Sequence, residues 1–392
     1  MNPRVHLMVP GPLGRLTGGT IYDARIAAGL RRLGHDVVVH ELEGRFPWPD
    51  SAALASTARA LSAVRPGDVL LVDGLALAAL DPTGPFPFDV PRILLVHMPL
   101  DEERGLPYGV RVRLRAAEEA WLRHADRVVC TSPVIARRLA RRGVPEPRIG
   151  VVEPGVDGVV GAPMDGGRAV GAAVMQAPGV GHAADGGRAF RDAPVTRAGG
   201  GAQLDDAAAD SPVRLLSVGA VTRVKAHSVL VRALARLSHL PWTLEIVGSR
   251  AYEPATGAAL RTEIDRRGLA GRVTLTGEVP HEAVREAYHR ADVFVLPSLF
   301  ESYGMALAEA AAHGLPLVAS DVGGIPATPA GRAARLVPPG DDAALAQALE
   351  PLILDPGERA RLAAAATAAA AGLRPWAEAA EAFAREIELA CG

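Results

Sequence analysis

The sequence predicts an α/β protein built from two doubly wound units, each a mainly parallel sheet covered by helices on both faces. Three observations carry this. Short apolar runs alternate with amphipathic stretches up to about residue 157, and the alternation restarts near residue 212. Between them, residues 158–211 are rich in Gly, Ala and Asp with almost no aliphatic periodicity, which reads as a mobile insertion between domains. A chain of 392 residues with 49% hydrophobic content is enough for two cores.

Taken in order, "RVHLMVP" reads as a buried strand, and "IYDARIAAGLRRLG" has apolar residues at helical spacing with Gly34 placed to end the helix. "HDVVVHEL", "DVLLVDG", "RILLVHM" and "RVVCTS" continue as strands with helix-like segments between them. "GVRVRLRAAEEAWLRHADR" starts basic, but Glu118, Glu119 and Asp126 dilute the charge, so a solvated helix face is expected rather than a membrane-binding one. In the second half "VRLLSVGAV", "WTLEIVGS", "RVTLTGEV", "DVFVLPS" and "PLVASDVG" read as strands. The helices between them are "AHSVLVRALARLSHL", "ATGAALRTEIDRRGL", "HEAVREAYHRA" and "YGMALAEAAAHG", and the chain ends in helical, Ala-rich sequence. Two such units facing each other place ligands in a central cleft at the carboxyl ends of both sets of strands.

Composition removes several function classes. Lys+Arg total 42 and Asp+Glu 44, a balance without the basic footprint of a nucleic-acid binder. Two cysteines, Cys130 and Cys391, do not make a disulfide framework or a thiolate metal site. "MNPRVHLMVPGPLG" has no long apolar segment or small-residue cleavage site, and "DVLLVDGLALAAL" is too short and too interrupted to span a bilayer. The expectation is a soluble cytoplasmic protein, monomeric or homodimeric.

Glu301 and Glu309 stand eight positions apart in "LFESYGMALAEAAAHGLP". The first follows a strand. Gly304 permits close backbone approach, and a helix starting near Met305 offers free N–H groups and a positive dipole end. Glu309 then lies about 7 Å further along the helix axis. Spacing alone leaves two readings: glutamates on a solvated helix, or two grips on a sugar–diphosphate–ribose ligand. "GPLGRLTGGT" puts Gly18 and Gly19 before a helix, either a tight turn or a second phosphate-friendly arrangement, and it does not fit G-x-G-x-x-G. Arg223 and Lys225 share one loop, which is a solvated surface or a phosphate contact. His97 ends a strand, where a structural hydrogen bond is the usual role. Asp101, Glu102 and Glu103 follow in a predicted loop at the cleft, either solvated or meeting an acceptor, and Tyr22 is a further acceptor candidate.

"ESYGMALAEAAAHGLPLVASDVGGIP" resembles the E-x7-E region of the retaining glycosyltransferases of family 4, which have the GT-B fold. "GGTIYDARIAAGLRRLGHDVVVH", "LLSVGAVTRVKAHSVLVRALARL" and "AARLVPPGDDAALAQAL" resemble that family's other segments in the same order, covering most of the chain outside 158–211. The resemblance implies an acceptor domain over 1–157, a donor domain over 212–374, and a final helix from about Pro375 to residue 392 that returns to the first domain. It implies that Glu301 contacts the donor sugar and supports the transferring centre, and that Glu309 holds the ribose. It implies contacts from the backbone at Tyr303, Gly304, Met305 and Ala306, from Leu307 to the ribose, and from Gly248, Glu278 and Val279 around the base. It further implies that His97 touches the sugar and that Gly18 and Gly19 lie beside the phosphates. It implies that Lys225 neutralises the diphosphate, but the family's accompanying Arg position is Ala220 and its following Gly is Ala226; Arg223, in the same loop, is the candidate substitute.

The implied reaction moves a hexose or N-acetylhexosamine from a nucleotide diphosphate sugar, UDP by preference, to an acceptor hydroxyl with retention, without cofactor or metal. The preferred acceptor is a small molecule such as an antibiotic scaffold, with lipid or polysaccharide as alternatives. Ala220 and Ala226 motivate a second reading, a nucleotide-sugar-binding protein without strong catalysis. A dinucleotide-dependent oxidoreductase fits the fold class but lacks the glycine fingerprint.

Overall fold

The computed structural model describes residues 3–80, 82, 89–102, 107–157 and 211–392. The expected insertion therefore lies outside the described residues except for Ser211, as do Glu103 and the side chain of Glu102.

The first domain runs β1 (Val5–Pro10), α1 (Gly18–Arg32), β2 (Val37–Leu42), α2 (Ser51–Ser62), β3 (Val69–Asp73), β4 (Arg92–Val96), α3 (Tyr108–His124), β5 (Arg127–Cys130), α4 (Pro133–Arg141) and β6 (Ile149–Val151). Its sheet is parallel, in the order β2-β1-β3-β4-β5-β6. The second runs β7 (Val213–Val218), α5 (His227–Arg236), β8 (Trp242–Val247), α6 (Pro254–Arg266), β9 (Val273–Gly277), α7 (His281–Arg290), β10 (Val293–Leu296), α8 (Met305–Ala312), β11 (Leu317–Ser320), α9 (Pro329–Ala333) and β12 (Arg335–Val337). Its parallel sheet has the order β12-β11-β10-β7-β8-β9. Helices α10 (Asp342–Leu354), α11 (Pro356–Ala370) and α12 (Trp376–Cys391) complete the chain. Both units are Rossmann-like. Every residue of β3 and of β10 is buried, which is why these strands read as continuous apolar runs.

Each sheet separates two apolar clusters. In the first domain one lies with α3 and α4, the other with α1 and α12. Trp376, Ala379, Phe383 and Ile387 of α12 share that second cluster with Tyr22, Ile26 and Leu30 of α1. The helices approach so closely that a β-carbon on Gly29 would overlap Ala380. Arg127 of β5 pairs with Glu386 of α12, anchoring the last helix to the first sheet. The backbone at Val156 bridges to Pro375, so the two chain crossings between domains run side by side.

Strand order reverses between β1 and β3 in one sheet and between β7 and β10 in the other. These are the switch points where α/β sheets open a crevice at their carboxyl ends. The loops after β1, β3, β7 and β10 are therefore where side chains of both domains can converge on a ligand.

Candidate active site

In the second domain, the loops after β7 and β10 bring Lys225 to Glu301, with Nζ donating to Oε1 at 2.6 Å. The Ser298 hydroxyl donates to the same oxygen at 2.7 Å. The carboxylate is nearly buried and the lysine mostly so, with side-chain exposures of 10% and 28%. Charge-assisted bonds of this kind contribute about 1.5–3 kcal/mol each. The turn is clamped from behind. Gly324 donates its N–H to the Glu301 carbonyl at 2.9 Å, and Gly323, at φ +55°, packs so tightly that any β-carbon would overlap that carbonyl.

Gly304 takes φ +91° and starts α8 with no side-chain cap, so the first-turn N–H groups of Met305 and Ala306 remain open to a ligand. Met305 reaches the first domain: its Sδ lies 3.9 Å from where a β-carbon on Gly18 would stand. The starts of α1 and α8 thus face each other. Leu307 is fully buried in the core, so its side chain has no surface for a ribose, a correction to the reading above. Tyr303 is also buried, leaving its backbone as the available part.

Glu309, on the next turns of α8, accepts from the Tyr288 hydroxyl at 2.9 Å. Burial pushes its carboxyl above the usual range, and the Tyr288 bond partly offsets this. Beside it, Asp157 pairs with Arg25 of α1 and with His281 of α7, linking the two domains.

The remaining donor-side candidates divide. Arg223 is two-thirds exposed and paired with Glu253 at 3.4 Å, so it is not joined to the Lys225–Glu301 group. Gly248 packs on the backbone of Gly219 and Ala220, where only glycine fits. Glu278 is exposed and Val279 half-buried at the end of β9. Ala226 holds φ +50°, the one positive value for a non-glycine among the described residues, at the position where the resembled family carries Gly.

In the first domain, α1 begins at Gly18 behind a Thr17–Thr20 capping box. Gly19 lies against the His97 ring, 3.5 Å from Cδ2 to where its β-carbon would be. His97 Nε2 lies 3.0 Å from Asp23 Oδ1 and 3.3 Å from Asp73 Oδ2. Both aspartates are buried and were missed from sequence. Burial opposes charge on His97, but the two carboxylates outweigh it and raise its pKa to about 10. Burial lifts Asp23 above the ordinary carboxylate range, against the pull of His97. The donor atoms of this trio lie within 4.8 Å of one another, yet both carboxylates converge on one ring nitrogen at hydrogen-bond distance, the geometry of an ion-paired network.

Two acceptor candidates are corrected. Tyr22 is wholly buried and donates its hydroxyl to the Val152 carbonyl at 2.9 Å. Asp101 is buried and pairs with Arg142 at 2.6 Å, and the same guanidinium meets Glu118. Both are structural. Glu102 ends a short 3-10 turn, and its side chain lies outside the described residues.

Residues 17–158 match the family model described as Glycosyltransferase Family 4, and residues 212–355 match that of Glycosyl transferases group 1. A D-inositol 3-phosphate glycosyltransferase of Nocardia farcinica is 31% identical over 274 residues, 67% of this chain and 52% of the relative. One of Xylanimonas cellulosilytica is 37% identical over 163 residues, 41% of this chain and 38% of the relative. The chain thus aligns with about half or less of these curated relatives. Among solved structures, the sucrose-phosphate synthase of Thermosynechococcus elongatus shares the fold with a TM-score of 0.70 at 22% identity, over 98% of each chain. The Anabaena HepE protein, solved with UDP and glucose, gives 0.69 at 17% identity, over 98% of this chain and 99% of that one. Two matched halves on the GT-B fold place the chain in family 4 of the glycosyltransferases.

Proposed function

We propose that this protein transfers a sugar from a nucleotide diphosphate donor to an acceptor hydroxyl, with retention at the anomeric carbon and without a metal. The observation that carries the reading is the Lys225–Glu301–Ser298 group beside the uncapped start of α8, at the switch point of the second sheet. Glu301, held by both partners, takes the sugar hydroxyls. Glu309 takes the ribose. Lys225 and the Met305 and Ala306 N–H groups meet the charge that develops on the departing diphosphate. Nothing in the group is placed as a general base, so the leaving phosphate itself assists deprotonation of an acceptor arriving on the same face. Closure of the domains excludes water.

The HepE structure with UDP-glucose supports a UDP-linked hexose as the first donor to test. For the acceptor, relatives named for inositol 3-phosphate and sucrose phosphate favour a small polyol or sugar phosphate over an antibiotic scaffold. The test is nucleoside diphosphate release from a panel of nucleotide sugars, with and without these acceptors, plus the anomeric configuration of the product by NMR. An inverted product would sink retention, and loss of turnover in chelator would sink metal independence. The second reading, a binding protein with little catalysis, rests on Ala220 and on Arg223 being tied to Glu253. Donor binding without turnover across the whole panel would establish it.

A further inference from the structure

His97 stands just after β4, next to the switch point of the first sheet, and its neighbours come from three other elements. Asp23 and Tyr22 belong to α1, Asp73 ends β3, and Thr131 follows β5. Asp73 is fixed at both oxygens: Oδ1 accepts the Leu75 N–H at 2.6 Å while Oδ2 faces His97. Tyr22 meets the ring edge-on at 5.2 Å between centroids. The Thr131 hydroxyl donates to the His97 carbonyl at 3.4 Å. Among the described residues the charged groups paired with the ring are Asp23 and Asp73.

The two ring nitrogens are therefore unlike. Nε2 sits between two carboxylates and must donate. Among the described residues Nδ1 has no hydrogen-bond partner, and it is not one of the buried polar atoms that lack one, so it is open to solvent. The side chain is 21% exposed. The Cδ2–Nε2 edge faces Gly19, and Nδ1 is not among the ring atoms nearest to it.

We infer that Asp23 and Asp73 are positioning residues that lock His97 with Nε2–H turned inward and Nδ1–H presented to the cleft as a hydrogen-bond donor. Its acceptor is an oxygen of the bound donor substrate, on the sugar or on the diphosphate. This rests on the function proposed above. In this role His97 is a fixed cation and not a proton acceptor, because two buried carboxylates leave its charged form the favoured one. The raised pKa of about 10 agrees with that geometry. The His97 cation also offsets one of the two carboxylate charges at the edge of the cleft.

The test uses the full chain labelled with 15N-histidine, with His97 assigned through His97→Gln. Wild type is expected to show both imidazole nitrogens protonated at neutral pH. Asp73→Asn is expected to lower the His97 titration midpoint by about 1–3 pH units. It should also reduce kcat by roughly ten-fold or more, since a donor aimed at developing charge is lost, with a new fall in kcat as pH rises through the lowered midpoint. Asp73 also caps the following turn, so Asp23→Asn serves as a second variant that leaves that cap in place. A His97 that titrates near its ordinary value in wild type would overturn the proposal. So would variants that leave both the titration and the pH profile unchanged. Should wild type show no turnover with any donor, the functional reading fails, while the NMR titration still decides how His97 is held.

Discussion

Gly323→Ala tests whether the turn carrying Glu301 is held in working position by the loop after β11. At φ +55° an alanine pays about 1–2 kcal/mol for the left-handed backbone alone. Its β-carbon would also fall well inside the 3.0 Å limit that real β-carbons keep, against the Glu301 carbonyl oxygen. Neither side can retreat freely. Gly324 bonds the same carbonyl at 2.9 Å, and the Glu301 carboxylate is anchored by Lys225 and Ser298. Relieving the overlap adds about 1–3 kcal/mol of overpacking strain. The melting point should fall by roughly 4–20 °C at about 2–4 °C per kcal/mol. The turn must shift by roughly 1 Å, which is enough to cost about 10²-fold in turnover. Gly268→Ala is the control: its φ is +68°, but nothing lies within 4 Å of the added carbon, so it bears the backbone term only. Thermal unfolding and nucleotide release are measured on both, well below either melting point. A Gly323→Ala protein that melts lower than the control yet turns over like wild type would refute the placement of Glu301 at the reacting centre.

Three further outcomes are expected. Lys225→Ala removes the only cation bonded to Glu301 among the described residues and should lower kcat by about 10²–10³-fold in a folded protein; unchanged turnover would remove Lys225 from the site. Tyr288→Phe deletes the bond that holds the Glu309 pKa down. A raised carboxyl protonates earlier as pH falls, so nucleoside diphosphate affinity, present above that pKa, should begin to fail at a higher pH in the variant; calorimetric titrations that overlay wild type at every pH would contradict this. Asp101→Ala breaks a buried pair with Arg142, which keeps Glu118, and should cost about 2 kcal/mol of stability. An unchanged melting point would restore Asp101 as a free acceptor ligand.

The strands and long helices were legible because parallel strands buried on both faces spell unbroken apolar runs and their helices keep a 3.6 period. Gly34 and Gly304 were legible for a local reason, since a helix end or a bend calls for positive φ at that residue. Strands β6 and β12, at three residues each, are too short to carry a pattern. The errors at Tyr22 and Asp101 share one cause, partners distant in sequence. Tyr22 bonds a carbonyl 130 positions away, and Asp101 bonds an arginine 41 positions away. Asp73 was visible as the end of "DVLLVD", but nothing local says that it meets His97 and that Asp23 joins them. Leu307 was placed by resemblance alone, and its burial follows from packing of α8 against its own sheet.

The loop after β7 is tightly built around Ala220, the position where the resembled family carries Arg. Gly219 and Gly248 stack so closely that the Ala220 backbone is pinned between two strand ends, and Arg223, three residues on, is drawn to Glu253. Lys225 is left facing Glu301, which answers its charge before any substrate arrives. On the proposed reaction, the N–H groups at the starts of α1 and α8 then join Lys225 in meeting the charge on a departing diphosphate. Those groups sit in different domains and meet where Gly18 approaches Met305. Helix dipoles act only within about a turn of the helix end and are strongest out of water. On that reading, domain closure would help to stabilise the leaving group as well as exclude water.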